Sequence, residues 1–271
     1  LRTLAHEAGR FVGEAVVAVV ADPLQQARDA AEAVQIDYAE LPAVASLGAA
    51  LAAGGPTVLP GAPDNIACEV RHGDAAACAA AFARAAHVVR LDLTHQRLAA
   101  LTIEPRSVRA WDEGERLQVQ ISSQMPTGVR AAVSAALRLA PEQVRVRVGD
   151  VGGGFGMKTG AYPEDVVVAL AARATGRPVA WAAERSEEFL STTHGRDIEA
   201  HAELALDADG RILGLRVHSD ANVGAYALAT GVAIQLLIGP WVQTSVYHVP
   251  VTDFHFRAVP PNQRPPGPYR R

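Results

Sequence analysis

Cysteine is scarce in this chain: two residues, Cys68 and Cys78, occur among 271, and they form no CxxC pair. A cysteine-ligated zinc or iron–sulfur centre held by these residues alone is therefore excluded. The two thiols read as isolated buried or loop cysteines rather than as a disulfide. Long basic runs are absent and the net charge is −4, which gives nucleic-acid binding no footing. Long apolar runs are absent too. The most apolar segment, around Val232–Trp241, is too short to cross a bilayer and contains Gly239 and Pro240. No secretory leader is visible, because Glu7, Arg10 and Glu14 interrupt any apolar core near the start. With 49% hydrophobic and 20% charged residues the chain is nevertheless rich enough to build real cores. It begins on Leu1 and stops on Pro265-Pro266-Gly267-Pro268-Tyr269-Arg270-Arg271 with no closing element, the pattern expected of a fragment cut at both ends.

The hydrophobic pattern mixes two periods without strict alternation and without an internal repeat, which gives an α+β class. Glu14–Ala21 and Val34–Tyr38 read as strands flanking a helix, with Asp22 as its N-cap, Pro23 at its first position and Leu24, Ala27, Ala31 and Val34 on its inner face. An Ala/Gly/Pro-rich connector follows from Leu47 to Pro63. Further on, Ala75–Ala86 reads as a helix and His87–Leu93 as a strand. Val108–Trp111 and Leu117–Ile121 read as strands around the turn Asp112-Glu113-Gly114, and Ser123–Leu139 carries a helix. In Val144–Val148 valines alternate with arginines, which puts the valines inward. A helix over Tyr162–Ala174, a strand at Val179–Ala182, and a hairpin of Ile198–Leu206 and Ile212–Ser219 around Asp207-Ala208-Asp209-Gly210 complete the reading.

The stretch Gly152-Gly153-Gly154-Phe155-Gly156-Met157-Lys158 carries the chemistry. Four glycines in five positions let the chain take positive φ and turn several N–H groups toward one anion. The mononucleotide P-loop pattern fails, because Met157 rather than glycine precedes Lys158-Thr159 and the next helix starts only at Tyr162-Pro163. The dinucleotide pattern G-x-G-x-x-G fails as well, since Met157 stands three positions after Gly154.

The run Gln143–Lys158, a strand leading into Asp-Val-Gly-Gly-Gly-Phe-Gly-x-Lys, resembles the molybdenum-binding large subunit or domain of the xanthine dehydrogenase, aldehyde oxidase and carbon monoxide dehydrogenase family. Other segments resemble the same family in the same order: Phe11–Val20 and Val34–Ala43, Ile103-Glu104-Pro105-Arg106, Ser122-Ser123-Gln124, Arg185–Glu188, His194-Gly195-Arg196, Asn222–Tyr226 and Pro268-Tyr269-Arg270. The resemblance covers essentially the whole chain. It implies a partial α/β hammerhead domain with its connector over residues 1–63, followed over 64–271 by the first, truncated part of an α+β molybdopterin-binding domain. It also implies hydroxylation of a carbon centre with water-derived oxygen, using a molybdenum–molybdopterin cofactor, in some bacterial members as the cytosine dinucleotide. An iron–sulfur small subunit carrying 2Fe-2S and an FAD-binding medium subunit would receive the electrons, in a dimer of heterotrimers. A cytoplasmic location is expected, with the periplasm as the alternative.

By the same resemblance the cofactor-binding residues are Gln124, Gly153, Gly154, Phe155, Gly156 and Arg270, with the Gln124 amide beside the metal's oxo group and Thr159 lining the substrate pocket. Glu104 and Arg106 are expected to form a structural ion pair. No catalytic residue is assigned within this chain: the family's general-base glutamate belongs to a later domain, so these residues alone are expected to be inactive. Purine-oxidising relatives carry glutamate where Thr159 stands, and an anchoring arginine in the segment matching Gly224–Tyr247, where this chain has none. Carbon monoxide dehydrogenases carry cysteine where Arg271 stands. An aldehyde or an N-heterocycle remains as the substrate class. The reading from another class is a noncatalytic anion- or nucleotide-binding module built on the glycine loop, and a decayed paralogue that folds but binds nothing is a third.

Overall fold

A computed structural model describes residues 3–62 and 64–269. The chain folds as two compact units. One joins the residues up to Leu41 with Ala99–Thr193, and the other joins Pro42–Leu98 with His194–Pro268.

The first unit is built on a four-stranded sheet. Ser107–Glu113 and Arg116–Ile121 form an antiparallel hairpin that turns at Gly114, φ 63°. Val144–Arg147 lies parallel to Arg116–Ile121 on one side, and Val179–Ala182 lies antiparallel to Ser107–Glu113 on the other. The parallel pair needs a crossover, and the helix Pro126–Leu137 supplies it. Proline at its first position costs no hydrogen bond there. The expected inward valines meet one another: Leu117 pairs with Val144 and Val119 with Val146, and Val129 and Val133 of the crossover helix pack on them. Each such fully buried side chain stabilises the unit by roughly 1.5–3 kcal/mol. The helix Pro163–Thr175 adds Val168, Ala169 and Ala172 to the same core and stops at Gly176, which takes φ 62°.

The second unit is a five-stranded sheet in the order Cys68–Gly73, Thr252–Val259, Ile212–Asn222, Ile198–Leu206, His87–His95. The predicted hairpin is present, and Asp207 fixes its turn by accepting from the N–H groups of Asp209 and Arg211, both at 2.9 Å. Phe254, Phe256, Val217 and Ala258 centre its core. Cys78 is buried and Cys68 exposed, both as free thiols.

The structure corrects several expectations in the N-terminal stretch. Glu14–Ala21 and Val34–Tyr38 form no strand, and Val17, Val20, Val34 and Ile36 are exposed. Alternation supplies the right faces, but no strand lies alongside among the described residues, and an unpaired strand leaves its backbone groups to water. The helix is present as Leu24–Glu32, yet it buries none of its residues. Pro23 rather than Asp22 is its N-cap, while the Asp22 carboxylate accepts from Arg177 at 2.7 Å. The expected connector holds a short helix, Leu47–Leu51, capped by Ser46. No helix among the described residues is long and apolar enough to cross a membrane.

Candidate functional site

The glycine loop leaves the carboxyl end of Val144–Arg147, and its glycines are needed for two different reasons. Gly153 (φ 98°) and Gly156 (φ 93°) take the left-handed conformation that other residues avoid. Gly152 and Gly154 are required by space. A Cβ on Gly152 would lie 2.4 Å from Cβ of Glu104, and one on Gly154 would lie 2.4 Å from Cδ and Oε1 of Gln124. Phe155, just beyond Gly154, holds φ 49° despite its side chain and is 44% exposed. Such a non-glycine outlier at the tip of a glycine loop is where function is sought.

The backbone donors divide accordingly. Gly152 N–H donates to Glu104 Oε2 at 2.5 Å, and Gly156 N–H donates to Gln124 Oε1 at 3.0 Å. The N–H groups of Gly153 and Gly154 make no hydrogen bond among the described residues. Buried Met157 and then Thr159 close the turn, donating to the carbonyls of Gly154 (2.8 Å) and Gly156 (3.2 Å).

Gln124 is seated from its own main chain. Its N–H donates to the carbonyl of Lys158 at 2.9 Å, and the neighbouring Ser123 hydroxyl donates to the same oxygen at 3.2 Å. Because its side-chain oxygen accepts from Gly156, the amide presents its NH2 group outward, with no partner for it among the described residues. The site thus offers two backbone N–H groups and one uncharged side-chain donor.

Lys158 is the only lysine in a chain with 24 arginines. Its side chain is wholly buried, and its Nζ donates to Glu104 Oε2 (2.8 Å), the Glu104 carbonyl (2.9 Å) and the Ser122 hydroxyl (2.9 Å). The loop's one cation is therefore spent inside the protein and does not reach for a phosphate, unlike a P-loop lysine. Burial works against the Glu104 carboxylate, but hydrogen bonds from Lys158, Gly152 and Ser122, with the Lys158 charge, outweigh it and hold its pKa below the ordinary range.

Glu104 and Arg106 do not pair with each other, contrary to expectation. Arg106 donates to Glu188 at 3.0 Å, to Glu164 at 3.1 Å and to Ser191, with its guanidinium 3.9 Å from the centre of the Tyr162 ring. The chain bends at Ile103-Glu104 ahead of Pro105, and that turns the two side chains into different surroundings. Nearby, burial pushes the Asp165 carboxyl up to about 7, although the Tyr162 N–H and the Arg106 charge pull the other way.

The structure thus brings Gln124, Gly154 and Gly156 into direct contact, with Gly153 and Phe155 adjacent and Thr159 at the exit of the turn. Arg270 lies outside the described residues. Sequence reasoning missed Ser122, and it missed that Glu104 and Lys158 belong to one network. The available signal was the solitary lysine ending the glycine run. Among the described residues no group of three or more His, Cys, Asp or Glu is placed to hold a metal. A metal here would have to bring its own ligands, and an oxygen- or sulfur-rich anionic group fits a site made of N–H donors with missing Cβ atoms.

Comparison with known proteins agrees with the geometry. Residues 58–270 match the molybdopterin cofactor-binding domain family. The chain is 36% identical over 267 residues to the gamma subunit of the 6-hydroxypseudooxynicotine dehydrogenase complex of Paenarthrobacter nicotinovorans, covering 96% of this chain and 32% of that protein. It is 36% identical over 238 residues to the carbon monoxide dehydrogenase large chain of Hydrogenophaga pseudoflava, covering 82% of this chain and 30% of that one. Quinoline 2-oxidoreductase from Pseudomonas putida 86 superposes with a TM-score of 0.92 at 37% identity, over 99% of this chain and 34% of that structure. The chain spans about a third of the length of these relatives.

Proposed function

The chain belongs to the molybdopterin cofactor-binding domain family, the large subunits of the molybdenum-dependent oxidoreductases, and on that premise we propose that the glycine loop and Gln124 hold the molybdenum end of the cofactor in a hydroxylase. One observation carries this reading: the unshared N–H groups of Gly153 and Gly154 stand beside an outward-facing Gln124 amide. When bound, molybdopterin supplies the two-electron oxidation that inserts a water-derived oxygen into a substrate C–H bond. The protein's part is orientation. Gln124 would offer the group an uncharged donor, and its acceptance of the Gly156 N–H fixes which end of the amide faces outward. Gly153 and Gly154 would donate from the backbone, and the exposed Phe155 stands between Gly154 and Gly156. By the family resemblance Arg270 would supply a guanidinium to the cofactor, and Thr159 would line the substrate pocket.

The complete protein is the enzyme in this proposal, and residues 1–63 are the remnant of its hammerhead domain ahead of the binding domain at 64–271. The family match begins at residue 58, which supports that division. An N-heterocycle is favoured over an aldehyde as substrate, because relatives are named for quinoline and for a nicotine derivative. Thr159, where purine-oxidising relatives carry glutamate, speaks against purines. Electrons pass to a 2Fe-2S small subunit and an FAD medium subunit in a dimer of heterotrimers, located in the cytoplasm, and the cofactor is the cytosine dinucleotide form. The naming of relatives as subunits or chains of larger complexes supports partners of this kind. The test is to express the complete reading frame in a host that makes the cofactor and assay molybdenum and pterin. Near-stoichiometric metal with pterin is expected. A well-folded protein without either would refute the proposal.

A further inference from the structure

Resting on the reading of the loop as a molybdopterin site, we infer that Lys158 and Glu104 are positioning residues, an ion pair that closes the base of the glycine loop and sets where Gln124 and the free N–H groups point. One carboxylate oxygen does the closing. Glu104 Oε2 accepts from Gly152 N–H at 2.5 Å and from Lys158 Nζ at 2.8 Å, so the first and last residues of the loop meet on the same atom. The Ser122 hydroxyl donates to that oxygen as well, at 2.8 Å. The opposite end of Lys158 completes the linkage, since its carbonyl receives the Gln124 N–H. Moving the ammonium therefore moves Gln124.

The choice of residue supports a geometric role. A chain that uses arginine at 24 positions uses lysine at one. An ammonium is compact and has three donors, and here all three are spent, on two oxygens of Glu104 and one of Ser122. A planar guanidinium would need a wider fork of acceptors and more room than a fully buried pocket gives. Glycine at 152 completes the fit, because any Cβ there would strike Glu104.

The test compares Glu104→Gln, Lys158→Met and the double variant in the complete protein. Each single change leaves a charge without its partner and lowers Tm. The double removes both charges and recovers most of that loss. Positioning separates from stability in the second readout: molybdenum per protein stays about tenfold down in the double variant, a size typical of lost outer-shell contacts. Hydrogen exchange of the peptide covering residues 152–159, measured on cofactor-free protein, is expected to be faster in the double variant than in wild type. Recovery of both Tm and metal in the double variant, or unchanged exchange, overturns the inference. If wild type itself carries no molybdenum, the functional proposal fails instead, and the exchange measurement still decides on the clamp.

Discussion

Glu104 and Arg106 stand two residues apart, on either side of Pro105, and enter two unlike ion networks. Arg106 is sealed between the helices Pro163–Thr175 and Arg185–Ser191, under the Tyr162 ring, with Glu188 itself 1% exposed. Glu104 keeps a third of its side chain exposed and spends its carboxylate on a flexible-backbone loop, a serine and the buried lysine. The first network ties helices together. The second ties the two ends of the glycine loop to each other and to Ser122. A glycine-rich segment has little packing of its own, so its position is set through Glu104 by the buried Lys158 and by Ser122.

Substituting each side in turn is the sharpest way to break this comparison. Arg106→Met leaves the Glu188 and Glu164 carboxylates without their cation and is expected to cost about 3–5 kcal/mol. Urea unfolding measures it, and a loss below 1 kcal/mol would mean that the helices do not depend on this network.

The two sides also respond to pH in opposite directions. Asp165, beside Arg106, has its folded pKa raised from 3.8 to about 7, mainly by burial. Its folded form holds a proton that the unfolded chain has released, so stability declines as pH rises between about 4 and 7, by a few kcal/mol at most. Glu104 has its folded pKa lowered, so its contribution is present at neutral pH and is lost as pH falls through that lowered value. Asp165→Asn is expected to flatten the decline between pH 4 and 7 while the acid-side loss remains. An unchanged slope in urea midpoints across that range would assign the decline to another group.

What could be read in the sequence follows from how local each signal is. The valine alternation of Val144–Arg147, the hairpin at Asp207–Gly210 and the helix expected over Tyr162–Ala174 depend on neighbours within a few residues, and all are present. The glycine loop was legible for the same reason. The Glu104–Lys158 contact spans 54 residues of sequence, and no local pattern encodes it. Glu14–Ala21 shows the converse failure: its pattern suits a strand, but a strand is a property of a pair. Thr252–Val259 went unread although Phe254, Phe256 and Ala258 alternate inward, because its place between Cys68–Gly73 and Ile212–Asn222 depends on strands distant in the chain.

The central claim is that the loop holds a cofactor through its close approach to Gln124. Gly154→Ala addresses it most directly. Gly154 has no positive φ, so alanine brings no left-handed backbone strain, and the three atoms nearest its Cβ all belong to the Gln124 side chain. In the complete protein stability is expected to change little, by less than ~1 kcal/mol. Displacing the Gln124 amide from Gly156 is expected to lower molybdenum per protein about tenfold. Wild-type molybdenum and pterin in a folded Gly154→Ala protein would contradict the account.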